Sequence, residues 1–267
     1  MGHSAAVQPT ATASTWLSAD RAAALPRLGG MARPNGVVVV SERFWAFATT
    51  GGELHEGDLP PRRSRAARIP LVRGLLQLGS SMTPLLRGRG VARGRERLVL
   101  LAAMIAPLFF VALPARFELP AGILATALLL VFLFRGRTLR LHGAEHRAIA
   151  AVEERRLAAT WAGEAKPTRF APRCGTNFAA LALPVTVLFD RLAPVSALPL
   201  VTGVAVAIFS LAVTMELWKA VQHPSGLLRG LLVPGLLLQR LTTREPSLDE
   251  TRVALTAVAS VLRRELA

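Results

Sequence analysis

The chain contains one cysteine, no tyrosine and two lysines against thirty arginines in 267 residues. A single cysteine excludes an internal disulfide, and a thiol facing the cytosol stays reduced. The arginine excess reads as genomic base-composition bias rather than a nucleic-acid surface. Aromatic residues are only 6% of the chain and do not alternate with the cations as base-stacking platforms require. No nucleic-acid partner is expected. The first thirty residues are rich in Ala, Ser and Thr and have no apolar centre, so they lack the core of a secretory signal. No internal repeat occurs, and the glycines around Gly29-Gly30 and Gly36 lack the spacing of a phosphate loop.

What the chain does have is apolar length combined with positive charge: 52% hydrophobic residues, a mean hydropathy of +0.41 and a net charge of +15. That balance is too apolar for an ordinary soluble domain and points to a membrane protein. Four apolar stretches stand out, Leu98–Ala115, Leu119–Phe134, Phe178–Ala193 and Leu198–Trp218. Read against the roughly 17–20 residues needed for a span, they predict an all-α membrane protein with four transmembrane helices in two hairpins. Interfacial helices and a small N-terminal cytosolic β-sheet complete the expectation. Of 32 cations, 30 fall outside the two hairpins, which carry only Arg116 and Arg191. By the positive-inside rule both termini are then cytoplasmic, with anionic lipid headgroups, and possible other membrane proteins, as partners.

The chain divides accordingly. Residues 1–28 read as a disordered leader, because so few large apolar groups cannot offset ordering entropy. Residues 29–97 hold the β-hairpin region, with β-branched Gly36–Val40, a strand from Arg43 to Ala48 and a turn at Thr49–Gly52, followed by an amphipathic helix over Leu71–Leu86. Residues 98–134 and 178–218 are the two membrane hairpins. Between them, 135–177 form a cytosolic loop with a helix from about Leu139 to Leu157. In 219–267, Ser225–Leu241 reads as interfacial or re-entrant after a break at His223-Pro224. Ser247 and Glu250 then make a capping box for a last helix to about Glu265.

The chemistry concentrates in His142-Gly143-Ala144-Glu145-His146. On a helix His142, Glu145 and His146 share one face, one turn apart. The order His-x-x-Glu-His is also that of one class of zinc hydrolases, where two imidazoles hold the ion and the carboxylate works on water. Cys174, Glu216 and Glu153 are the candidates for a third ligand. A thiolate favours zinc, whereas His and carboxylate alone admit iron or manganese. Glu145 is then either a further ligand or the general base. Cys174 has a second reading, as a nucleophile activated by His142 or His146 with Arg173 lowering its pKa. The plainer account is an interfacial helix whose imidazoles meet headgroups, with Glu145 paired to Arg173 or Arg147 and Cys174 in a turn that begins the third span. Likewise Glu216, close to Trp218 and Lys219, fits the membrane interface. Thr242–Pro246 reads as the approach to the last helix, although its hydroxyls and Arg244 suit a phosphate.

Five strings occur in order: Gly29-Gly30-Met31-Ala32, His142–Arg147, Arg173-Cys174-Gly175-Thr176-Asn177-Phe178, Pro234–Gln239 and Leu241–Pro246. Together, over residues 29–262, they resemble the YqhQ-like family of bacterial membrane proteins. The resemblance implies a multi-span inner-membrane protein, a predicted metal-dependent enzyme with no established reaction. Asn35 and Ala207 stand where that family carries glutamates, which marks this chain as a divergent member and puts two acidic groups of the site in question. The combined reading is a predicted metal-dependent, hydrolase-like enzyme with a divalent ion, zinc first, at His142, His146, Cys174 and Glu216, and with Glu145 and Cys174 as catalytic groups. The alternative is a non-catalytic membrane scaffold or regulator, or a binder of small anions.

Overall fold

Four valines in a row, Val37–Val40, suit a strand covered on both faces, since alternation disappears when neither side meets water. That is how the run is used. The computed structural model of the chain describes residues 16–59, 68–88, 90–92, 94–110, 115–193, 198–222 and 227–267. Residues 1–15, the Pro60-Pro61 stretch, the linker 194–197 and His223-Pro224 lie outside the described residues. Strands β1 (Gly29–Arg33), β2 (Gly36–Val40), β3 (Phe44–Thr49) and β4 (Leu54–Asp58) form an antiparallel meander in sequence order. Register follows from the turns, with Arg33 opposite Gly36 and Val40 opposite Trp45.

The two faces of this sheet bury different elements. Val37, Val39, Ala46 and Ala48 pack against α6 (Thr138–Glu153) and α11 (Leu248–Leu266), through Leu141, Ala144, Ala148, Leu255, Val258 and Leu262. Val38, Trp45 and Phe47 point the other way and meet Leu59, Leu85, Val91 and Ala92. Helix α1 (residues 16–21) closes the first layer: Trp16 is 1% exposed and stacks near Trp161 of α7 (Leu157–Ala162). Asp20 adds to this by accepting from the amides of Leu157 and Ala158 at the start of α7. Residues 16–21 of the expected leader thus form a helix, because one tryptophan offers enough apolar area to hold a short helix. Helix α11 opens with the anticipated capping box, in which Ser247 and Glu250 exchange side-chain and backbone bonds.

The anticipated amphipathic helix over Leu71–Leu86 is two pieces, α2 (Val72–Ser81) and α3 (Thr83–Arg87), broken at Met82 before Pro84. The helices α4 (Gly94–Phe110), α5 (Ala115–Leu133), α8 (Gly175–Leu192) and α9 (Pro199–Val221) follow, with a 3-10 segment, Leu227–Leu232, leading into α10 (Val233–Thr242). The four-span, all-α expectation is corrected here. Among the described residues one helix, Leu200–Val221, is long and apolar enough to cross a membrane, and only 22% of its apolar window is buried. The pair Pro120–Leu133 and Thr138–Glu153 passes the same test only jointly, bent by 72°. Its second limb is α6, which carries Arg140, His142, Glu145, His146 and Arg147 and packs on the sheet, so it belongs to the folded core. Of the other stretches, Leu98–Ala115 includes residues 111–114, which lie outside the described residues. Helix α8 starts in Thr176-Asn177 and ends in Asp190-Arg191, and α5 opens with Arg116 and Glu118 ahead of Pro120. With four spans gone, the cation tally no longer sets an orientation.

Replacing Trp16 by Ala removes the residue that joins α1 to the sheet layer. The expected cost is about 3–5 kcal/mol, as for other buried aromatic truncations. Thermal unfolding of the detergent-purified chain reads it, and a loss below about 1 kcal/mol would mean that α1 is not docked.

Candidate metal centre

Helix α6 presents His142, Glu145 and His146 on one face, as the spacing requires. Unusually for such a polar stripe, the face is buried: Glu145 is 5% and His146 2% exposed. Two chain segments lie over it. Residues 165–174 cross from α7 to α8, where Cys174 is the N-cap of α8 and its sulfur accepts from the Thr176 amide and hydroxyl. Residues 242–246 pass from α10 to α11. Their closest approach is at Gly143, where an added Cβ would stand 2.2 Å from the Arg244 carbonyl oxygen. The Arg244 amide donates to the Leu139 carbonyl at 2.9 Å, which holds this segment along α6.

These two segments settle the imidazoles. His142 Nδ1 lies 2.8 Å from the Thr242 carbonyl and His146 Nδ1 2.7 Å from that of Arg169. A carbonyl can only accept, so each Nδ1 carries the proton and each Nε2 keeps its lone pair. Carbonyl support of this kind is the usual outer contact of a metal-ligating histidine. His142 Nε2 is 3.3 Å from Cys174 Sγ, and the two rings meet edge to face with centroids 4.5 Å apart. One donor atom each from His142, His146 and Cys174 lies within 4.8 Å of the other two. A tetrahedral zinc site spaces its ligand atoms roughly 3.3–3.8 Å apart, so the set fits a borderline-soft divalent ion after a modest contraction. Glu145 Oε2 stands 4.0 Å from His142 Nε2, beside the triad. Its other flank is β1, at Gly30, where a Cβ would fall 2.6 Å from Glu145 Oε1.

Burial dominates the electrostatics. It pushes the Glu145 carboxyl up to about 8. The Cys174 thiol rises to about 11 through burial and the nearby Glu145 charge, against the lowering effect of Thr176. Burial, and secondarily the neighbouring His142, lowers His146 to about 3, and burial lowers His142 as well. All four groups thus favour their neutral forms without a cation. A positive ion among them would reverse that preference for the thiol and the carboxyl.

The other candidates are elsewhere. Glu216 pairs with Arg73 of α2 and with Lys219, so it braces α9 rather than joining the triad. Glu153 is paired with Arg173, and Arg147 bonds the Pro167 carbonyl and Glu245. Neither arginine reaches Glu145, and Arg173 is not the group that tunes Cys174. Asn35 is exposed in the β1–β2 turn with its carbonyl on the Thr50 amide, and Ala207 is exposed on α9. The lost acids of the family pattern therefore subtract nothing from the His142/His146/Cys174 cluster.

Residues not singled out from sequence complete the frame. Gln239, fully buried, accepts from the Ala171 amide and donates to the Ala171 carbonyl, and Asn177 donates to the carbonyls of Ala171 and Pro172. Together they fix the turn that delivers Cys174. Both sit inside the motif strings noted above, which was the available signal. All five strings meet here: Gly30 on Glu145, the helix itself, the Cys174 turn, Gln239 behind that turn, and the 242–246 strap.

A family model described as a protein of unknown function, DUF1385, matches residues 97–264. The chain is also 30% identical over 140 residues to the uncharacterized protein YqhQ of Bacillus subtilis (strain 168), a match that covers 48% of this chain and 42% of that one. The chain belongs to this YqhQ-like family, as a divergent member. The match spans less than half of that relative's length. No solved structure matches the chain.

Two expectations test this geometry. Gly143→Ala forces the 242–246 strap away from α6 and costs about 1–3 kcal/mol, as overpacking does; an unchanged midpoint of unfolding would contradict the contact. For Glu145, the folded-state pKa lies above the unfolded value, so its neutral form is fully stabilising at low pH and that stability is lost as pH rises towards 8. In chelator-treated protein, Glu145→Gln should gain on wild type by a few kcal/mol between about pH 5 and about pH 8.5. Parallel stability curves would rule out burial as the cause.

Proposed function

We propose that this chain is a membrane-associated, metal-dependent enzyme of hydrolase type, with its site on a folded domain beside the bacterial inner membrane. The observation that carries the reading is the paired Nδ1-to-carbonyl hydrogen bonds of His142 and His146, which leave both Nε2 lone pairs available, that of His142 3.3 Å from the Cys174 sulfur, in a cluster whose donor atoms lie within 4.8 Å of one another. Two imidazoles and a thiolate are a three-ligand set of the kind that catalytic zinc sites use, with one coordination position left over. A divalent ion held there supplies Lewis acidity.

The residues divide the work. His142, His146 and Cys174 hold the ion. The Thr242 and Arg169 carbonyls keep both rings in the tautomer that can bind it. Glu145 touches only the flank of the cluster and serves to take or give a proton at Oε2. The turn at 171–174, clamped by Gln239 and Asn177, keeps the sulfur in place and excludes solvent from that side.

Metal content of the detergent-purified full chain tests the proposal. Wild type should carry about one equivalent of divalent ion, lost in His146→Ala. After cobalt replacement, a thiolate-to-metal absorption in the near ultraviolet should be present in wild type and absent in Cys174→Ser. A well-folded wild type that takes up no ion from a zinc-supplemented buffer would overturn the reading.

A further inference from the structure

A cavity of about 560 Å³ opens beside the 242–246 strap, lined by Leu139 and Arg140 of α6, Arg240 of α10, and Thr243, Arg244 and Glu245 of the strap. That volume is within the range of about 300–1,000 Å³ typical of small-ligand sites. Four arginines line it, Arg140, Arg169, Arg240 and Arg244, against one acid, Glu245. Two of the four are already committed. Arg140 pairs with Glu250 at 3.2 Å, and Arg169 bonds the Thr243 carbonyl and lies 3.6 Å from Glu245, which Arg147 also holds. Arg240 and Arg244 have no ion-pair partner among the described residues, and both are exposed. The pocket therefore keeps a surplus of two guanidinium charges, one from an α10 residue and one from a strap residue four positions on.

The surroundings indicate where the anion comes from. Leu237, Leu238 and Leu241 of α10 are exposed, Leu241 by 74%, and so are Leu228, Leu231 and Val233 just before them. Leucines flanked by arginines on a short amphipathic segment are suited to an interface: the apolar groups enter the acyl boundary while the guanidiniums stay at the level of the phosphates. Arginine is also the residue whose planar fork matches a phosphate with two parallel hydrogen bonds.

We infer that this pocket is a phosphate-binding site that receives the headgroup phosphate of an anionic membrane lipid between Arg240 and Arg244. The site stands whether or not the histidine–cysteine cluster holds an ion. The two are nevertheless neighbours through one residue: Arg169 lines the pocket, and its carbonyl bonds His146. A bound phosphate would thus be held by the same segment that orients the imidazole.

Calorimetric titration of the detergent-purified full chain with monomeric short-chain phosphatidic acid, short-chain phosphatidylcholine and inorganic phosphate separates the outcomes. Saturable binding of phosphatidic acid is expected, at least tenfold weaker in Arg240→Gln/Arg244→Gln and unchanged in the charge-matched Arg43→Gln/Arg156→Gln. Inorganic phosphate binding as tightly as phosphatidic acid, with the same loss in the variant, would keep the phosphate site but overturn the lipid source. Equal binding of phosphatidylcholine and phosphatidic acid, an unaffected Arg240/Arg244 variant, or no binding of any probe would overturn the inference. His146→Ala, which removes the proposed metal ligand, should leave phosphatidic acid binding in place, so failure of the metal reading and failure of this one are read separately.

Discussion

The passage of residues 242–246 across α6 at Gly143 is the contact on which the site depends. It brings the Thr242 carbonyl to His142, seats the Arg244 amide on Leu139, and sets Glu245 over the buried Arg147. Only a glycine in α6 allows a backbone oxygen so near the helix axis. The cost of glycine in a helix interior, about 1 kcal/mol, is offset by the hydrogen bonds that this approach permits. Without it, a helix bearing two imidazoles and a carboxyl on its inner face would bury them with nothing to orient them.

A second constraint is the sheet. Because β2 and β3 are covered on both sides, β1 is fixed beside α6, and Gly30 comes to lie against Glu145. The carboxyl is then enclosed by helix, strand backbone and the cysteine turn. Its elevated pKa is a consequence of that enclosure rather than of any nearby charge. The sheet and the strap together thus make a buried, polar chamber out of elements that are otherwise an ordinary two-layer core.

Parts of this were legible in the residues. The valine run and the turn at Thr49–Gly52 defined strands, Ser247 with Glu250 defined a helix start, and the i, i+3, i+4 spacing put His142, Glu145 and His146 on one face. The groups that orient the imidazoles were not legible, and for a plain reason: Thr242 and Arg169 act through carbonyl oxygens, which every residue possesses. Nor could spacing separate Glu216 from the ligands, since its tie to Arg73 joins helices 143 positions apart. Hydropathy overcounted the spans because apolar length does not distinguish a helix in lipid from one whose ends carry Asn177, Asp190 and Arg191.

Helix α9 lies in sequence between the sheet and α11, yet α11 is folded onto that same sheet. This imposes a parity rule on the chain. Any odd number of membrane passages between Glu153 and Leu248 would strand α11 on the opposite side from the strands and the helix it covers, and the core could not close. A lone crossing by α9 is therefore excluded. Either α9 lies along the surface, or its passage is cancelled by a return, and both halves of the chamber stay in one compartment.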